Sequence, residues 1–269
     1  MLPQAQDFLD ESESIYALVA PLSDEQLETK TAFKEWTIGN VVGHLYMWNW
    51  AADLTLRDGA AFQAFFKKAM KETRKLGGLT HFERSWLGDL RGRALVGTWR
   101  AHYQGMAQRF GAADPSMRVK WAGPDMTVRS KITARLMETW AHAQEIYDEL
   151  GQVRRNGDRI RNIVVLGINT YGWTFKVRGL DLPGPMPHVR LTSPSGELWT
   201  YGGASEAERV EGSAEEFCQV VTQTRNIADT SLRVVGPIAT SWMATAQCFA
   251  GGPEPPPPPG TRGTRAAKL

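Results

Sequence analysis

The feature that most constrains the fold is the stretch 135–145, in which Glu138 and His142 are four residues apart. Apolar side chains recur around them at helical spacing and predict a helix from about Thr127 to Leu150. Residues four apart on an α-helix lie on one face, about one turn apart. The stretch therefore predicts a packed helix that presents a carboxylate and an imidazole together, at the edge between its apolar stripe and its charged face.

A third group of the same chemistry is His44, nearly a hundred residues upstream. It lies in a second helical pattern, which Thr37 would cap and which runs from Ile38 to about Leu56. Imidazole nitrogens and one carboxylate oxygen suit zinc or another divalent first-row metal, and facing bundle helices are an established place for such ligands. We predict that His44, Glu138 and His142 meet around one such ion, with a coordination position left open for chemistry.

Each of these residues also has an ordinary structural interpretation. On spacing alone, a solvated helix face is the more common explanation of Glu138 and His142, and a core histidine bonded to a carbonyl is the more common explanation of His44. The remaining histidines are weaker candidates: two are predicted at the surface and one on another helix that could line the same cavity, namely His81, His188 and His102.

Periodicity divides the chain into a helical part and a mixed part. Before about residue 150 it predicts a mostly antiparallel bundle of four main helices, among helical patterns over 3–20, 38–56, 60–75, 86–110 and 127–150. After one more helix over 158–179, period-two strands and short helices follow: strands over 188–192, 198–202, 209–211 and 231–235, and helices over 214–225 and 238–249.

The predicted fold class is therefore mainly α with a smaller α+β domain. We expect a helical bundle over 1–155, a connecting helix and proline-rich linker over 156–186, and a small mixed sheet with helices over 187–250. A proline-rich, disordered tail is expected over 251–269.

Composition favours a soluble globular protein, with 42% hydrophobic and 22% charged residues. A net charge of +2 gives no reason to expect nucleic acid or an anionic membrane as a partner. No apolar run reaches the roughly 20 residues of a bilayer span, and the N-terminus does not resemble a secretory signal. Two cysteines, Cys218 and Cys248, provide no disulfide framework, so we expect a cytoplasmic protein. We expect a monomer or a homodimer.

The segments carrying these ligands resemble a known family. Residues 36–45, from Trp36 through Thr37 to His44, and the sequence Glu138 to His142 resemble the two motifs of the DinB-like superfamily, in the branch of mycothiol-dependent maleylpyruvate isomerase. The resemblance implies a DinB-like four-helix bundle and a zinc triad of those three residues. It extends to residues 212–236 and 247–253, the latter similar to a subfamily described only as metal-binding.

The resemblance also implies a chemistry. In the isomerase a low-molecular-weight thiol adds to a conjugated cis double bond, the new single bond rotates, and loss of the thiol gives the trans isomer. We accordingly expect isomerisation or S-transfer with mycothiol as a possible co-substrate and a small carboxylate-bearing substrate. Arg225 would bind that carboxylate from a cleft between the domains, or else is an ordinary surface arginine. Asn40 and Trp48 flank His44 and are expected to line the cavity.

Three alternatives remain open at this stage. The first is a metal-dependent hydrolase, lyase or cyclase that uses bound water or direct substrate coordination without a thiol. The second is a non-catalytic small-molecule binding protein, and the third is a bundle without metal. Members of the family often have a glycine and an aspartate where this sequence has Ala143 and Glu145, so the thiol pocket and the substrate class are the least constrained parts of the prediction.

Overall fold

The computed structural model describes residues 1–121 and 125–264. Two residues of the loop predicted before the ligand-bearing helix, Gly123 and Pro124, lie outside the described residues, as do the last five residues of the predicted tail. The chain forms two compact units, Met1–Glu149 and Leu150–Leu269. The predicted fold class, mainly α with a smaller α+β part, is confirmed.

The first unit is helical. Its elements are α1 Pro3–Val19, α2 Asp24–Leu27, α3 Ile38–Arg57, α4 Gly59–Leu76, α5 Leu79–Leu87, α6 Gly92–Ala112 and α7 Val128–Glu149, with a two-stranded antiparallel ribbon of β1 Arg118–Val119 and β2 Met126–Thr127. Helices α1, α3, α6 and α7 pack on one another as the bundle, while α4 and α5 pack on α3. Large side chains fill the bundle core, among them Phe8, Trp99, Tyr103, Phe110 and Trp140.

Helix α3 is central to this packing because it contacts α4, α5, α6 and α7. Its start is fixed by a capping box: the Thr37 hydroxyl accepts from the Asn40 backbone N–H, and the Asn40 side-chain oxygen accepts from the Thr37 N–H. Most of the helix is buried, including His44. The cap fixes the residue at which α3 begins, and the buried face fixes how the helix is turned. Together they place the His44 side chain inside the bundle.

The structure divides one of the predicted helices into two. The sequence predicted a single helix over 86–110 with His81 in a loop before it; the structure instead places His81 on α5, which ends at Leu87, and begins α6 at Gly92. Gly88 adopts a φ of 59°, in the left-handed region, and so stops α5. Apolar residues continue across the break at Leu87 and Leu90, which is why helical periodicity did not reveal it.

The second unit contains a four-stranded mixed sheet in the order β4-β3-β5-β6. Strand β3 pairs antiparallel with β4 and parallel with β5, and β5 pairs antiparallel with β6. The elements are α8 Arg161–Asn169, α9 Tyr171–Lys176, β3 His188–Thr192, β4 Leu198–Tyr201, β5 Arg209–Ser213, α10 Ala214–Val221, β6 Arg233–Val235 and α11 Pro237–Thr245. Apolar residues of the sheet and helices form its core, among them Val189, Leu191, Val210, Phe217 and Trp242.

Two predictions for this unit differ from the structure. The single helix over 158–179 is a short 3-10 turn, Asp158–Ile160, followed by α8 and α9, which are separated at Thr170. The predicted tail contacts the rest of its unit within 251–264, where its carbonyls accept side-chain hydrogen bonds: Gln223 donates to Glu254 at 2.9 Å and Asn226 to Pro257 at 2.8 Å. Prolines lack an N–H, but their carbonyls stay free to accept such bonds.

Over residues 1–121 and 125–264, none of the helices combines the length and the apolar character that crossing a bilayer requires.

Candidate metal centre

The structure brings together the three residues predicted as metal ligands. His44 projects from the middle of α3, and Glu138 and His142 from successive turns of α7, which packs against α3. Oε2 of Glu138 lies 4.0 Å from Nε2 of His44 and 3.6 Å from Nε2 of His142. One donor atom from each residue falls within 4.8 Å of the other two. The two helices therefore supply a compact set of two nitrogens and one oxygen.

Aromatic side chains form one wall of this cluster. The indole of Trp36 stacks on the His142 ring with 3° between the planes and 5.7 Å between centroids, and Phe33 meets the same ring edge-on at 5.2 Å. Both aromatics belong to the loop before α3, which turns through two non-glycine residues of positive φ, Lys34 and Glu35. Such left-handed residues are uncommon and concentrate at functional sites. The loop thus holds an apolar cover over the imidazole.

The second nitrogen of His44 is also engaged. Its Nδ1 lies 2.7 Å from Oε1 of Glu83 on α5, and the Trp48 indole N–H donates to that same oxygen at 3.1 Å. Sequence reasoning missed Glu83 altogether, because no spacing relates it to His44 and the helix that carries it was not predicted. With Nδ1 occupied, Nε2 is the nitrogen that faces Glu138 and His142.

Burial and neighbouring charges set the ionisation of the cluster. Burial alone would raise the pKa of Glu138, but His142 and His44 outweigh it and hold that pKa well below its usual range. Burial lowers the pKa of His142, which favours the neutral imidazole that a metal needs. Burial opposes the charged form of His44 too, yet Glu83 and Glu138 prevail and raise its pKa to about 9. The two carboxylates therefore favour a positive charge at Nε2, which a proton or a metal ion can supply.

The donor set fits a first-row divalent ion. Tetrahedral coordination at bond lengths near 2.1 Å places ligand atoms about 3.4 Å apart. The two distances from the Glu138 oxygen, 3.6 and 4.0 Å, are slightly longer than that and would close by small side-chain rotations. Two imidazoles and a carboxylate suit zinc and its neighbours better than magnesium or calcium, which prefer all-oxygen sites. Three protein ligands leave room for a further one.

Comparison with known proteins decides the family. Residues 8–147 match the family model described as the mycothiol maleylpyruvate isomerase N-terminal domain. Two uncharacterised proteins of Mycobacterium tuberculosis, from strains CDC 1551 / Oshkosh and H37Rv, are each 34% identical to the chain over 251 residues, which are 93% of this chain and 96% of theirs. The chain belongs to the mycothiol maleylpyruvate isomerase N-terminal domain family. The resemblance inferred from its two motifs is confirmed.

Solved structures agree on the fold. A crystal structure of the mycothiol-dependent maleylpyruvate isomerase superposes with a TM-score of 0.54 at 15% identity, covering 81% of this chain and 87% of that one. A crystal structure of a mutant of that enzyme gives 0.53 at 14% identity with the same coverage. At this identity the likeness shows a shared fold for most of the chain.

Three further residues were predicted to bind the substrate or the thiol: Asn40, Trp48 and Arg225. Asn40 lines a cavity of about 210 Å³, which Glu83 also lines, although the Asn40 side chain serves the cap of α3. Trp48 flanks His44 and is held by Glu83. Arg225 lies in the second unit, where it is buried and donates to the carbonyl of Thr224 at 2.9 Å. Binding roles for these three residues remain predictions.

The remaining histidines stand apart from the cluster. Among the described residues, the group with metal-binding geometry consists of His44, Glu138 and His142. His102 packs against Tyr46 on another face of α3, and burial lowers its pKa. His81 is exposed on α5.

Proposed function

We propose that this chain is a metal-dependent enzyme that activates a low-molecular-weight thiol, mycothiol or one like it, for isomerisation or S-transfer on a small carboxylate-bearing substrate. His44, Glu138 and His142 would hold the ion, with zinc as the preferred candidate. The observation that carries the proposal is the convergence of these three donors within 4.8 Å. Membership of the family, and the fold shared with an enzyme described as mycothiol-dependent, support the thiol as the co-substrate.

The chain's own residues provide the setting for this chemistry. When bound, an ion of this class lowers the pKa of a thiol or water at its open position and holds the anion as a nucleophile. Trp36 and Phe33 cover His142 and restrict the access of water on that side. Glu138, whose pKa lies below its usual range, stays ionised and available as a ligand.

Arg225 is the proposed substrate-binding residue. Its planar guanidinium could hold a carboxylate through two parallel hydrogen bonds, which a lysine could not. Asn40 and Trp48 are proposed to line the pocket beside His44. No cofactor other than the metal and the thiol is needed for the isomerisation, because addition and loss of the thiol leave the atoms and electrons of the substrate balanced.

The test is a comparison of metal and thiol dependence. Purified protein would be assayed with maleylpyruvate as the probe substrate, with and without mycothiol, before and after chelation. We expect turnover only with both metal and thiol, and its loss in His44→Ala, Glu138→Gln and His142→Ala. His81→Ala is the matched control, since that histidine is exposed and outside the cluster.

Two results would indicate a different function for the chain. Metal-dependent turnover that needs no thiol would favour a hydrolase, lyase or cyclase at the same centre. Tight retention of a small ligand by chelated protein, without turnover, would favour a binding protein. Either outcome contradicts the thiol mechanism.

A further inference from the structure

Glu83 is a buried carboxylate placed against the candidate ligand His44. The side chains of His44 and Glu83 are 9% and 4% exposed, and Oε1 of Glu83 lies 2.7 Å from Nδ1. A carboxylate only accepts hydrogen bonds, so the proton of this contact resides on Nδ1. The neutral ring is thereby fixed as the Nδ1–H tautomer, whose Nε2 lone pair points toward Glu138 and His142.

We propose that Glu83 is a positioning residue of the metal centre, which holds His44 in the tautomer and ring orientation required for ligation through Nε2. The assignment rests on the proposed function, because it concerns the same centre. Metal-bound histidines commonly donate their second N–H to a carboxylate or carbonyl, and loss of that partner weakens metal binding about 10- to 100-fold.

The surroundings of Glu83 favour this role over a structural one. Within the part of the chain that the structure describes, no lysine or arginine forms an ion pair with Glu83; its partners are His44 and Trp48. Helix α5 is anchored instead by Phe82, which packs into a cluster with Met47 and Ala69. Both hydrogen bonds of Glu83 therefore go to side chains of α3, one of which is the candidate ligand. Its purpose is therefore to be sought at His44.

Trp48 completes the arrangement. Its indole N–H donates at 3.1 Å to the same oxygen that faces His44 Nδ1. Two donors on one oxygen restrict the rotation of the Glu83 carboxylate, so that the acceptor stays aligned with the imidazole edge. Trp48 and His44 are one turn apart on α3, and one carboxylate on α5 thus fixes both side chains.

The experiment measures metal binding, not turnover. Wild type, Glu83→Gln and Glu83→Leu would be stripped of metal and titrated with cobalt(II) against a chromophoric chelator, and the visible spectrum of each cobalt-loaded protein recorded. Glu72→Gln, on α4, is the control, since it removes a carboxylate that pairs with Lys75 at the surface. Unfolding of the stripped proteins by denaturant reports on the fold separately.

We expect Glu83→Leu to weaken cobalt affinity about 10- to 100-fold and to alter the spectrum. It should also destabilise the stripped protein, because the Nδ1–H of His44 and the indole N–H of Trp48 lose their acceptor. Glu83→Gln retains an oxygen that can accept from Nδ1–H, so it should recover most of the affinity. Wild-type affinity and spectrum in Glu83→Leu would overturn the role of Glu83 while leaving the metal centre intact. A wild type that binds no cobalt would overturn the centre itself, and this assignment with it.

Discussion

A lysine buried on α7, the helix that carries Glu138 and His142, gives a quantitative prediction. Lys131 lies on α7 with none of its surface exposed, its amine 3.0 Å from the ring centroid of Trp121. Among the described residues its Nζ has no hydrogen-bond partner. Burial lowers the pKa of Lys131 to about 5, and the nearby Arg135 adds to the effect. A pKa of about 5 makes the amine neutral at neutral pH, whereas a charged amine in the same place would form a cation–π pair with the indole.

This depressed pKa makes stability depend on pH. Lysine in the unfolded chain titrates near pH 10.4, so between about pH 5 and pH 10 the unfolded state carries one more proton than the folded state. The free energy of unfolding then rises with pH by about 1.4 kcal/mol per unit through this one group. From pH 6 to pH 8 the contribution is about 2.7 kcal/mol, a large share of a typical net stability.

The perturbation is Lys131→Met, which keeps the length of the side chain and removes the amine. Denaturant unfolding of chelated wild type and variant, followed by tryptophan fluorescence, gives the difference in stability at each pH. We expect the variant to be the more stable at pH 6, with its advantage shrinking by about 2.7 kcal/mol at pH 8. A variant that is less stable than wild type, by an amount independent of pH, would show that Lys131 is charged over Trp121 and would contradict the lowered pKa.

Two further substitutions test local interactions that stabilise the bundle, namely the cap of α3 and the ion pair between Asp53 and Arg109. Thr37→Ala removes the hydroxyl that caps α3, and we expect a loss of about 1 kcal/mol, measured by denaturant unfolding with Thr98→Ala, at a partly exposed position within α6, as the control. Asp53→Asn removes the charge of a buried carboxylate that accepts two bonds from Arg109, at 2.7 and 2.9 Å. We expect it to cost about 2 kcal/mol, most of which should disappear in an Arg109→Met background if the pair itself is responsible.

The parts of the fold that the sequence predicts well are those with local physical causes. The apolar stripes of α3 and α7, the cap at Thr37 and the spacing of Glu138 and His142 each follow from one helical period. The meeting of His44 with that pair is a long-range contact between helices, and no periodicity encodes it. It was predicted from the ligand chemistry of the three residues together with the family resemblance.

The features that sequence missed depend on tertiary contacts. Glu83 is 39 residues from His44, and it becomes a partner because α5 packs on α3. The loop before α3 places Phe33 on His142 through two left-handed residues that are not glycines, Lys34 and Glu35, a conformation without a turn signature in the sequence. The hydrogen bonds of the proline-rich segment after residue 250 likewise come from donors elsewhere in its unit.

The most direct test of the central claim is the metal content of the purified protein, determined by elemental analysis alongside Glu138→Gln. We expect close to one equivalent of zinc, or of another first-row divalent metal, in the wild type and little in the variant. Less than about a tenth of an equivalent of any such metal in wild type purified without chelators, and none taken up on addition, would contradict it.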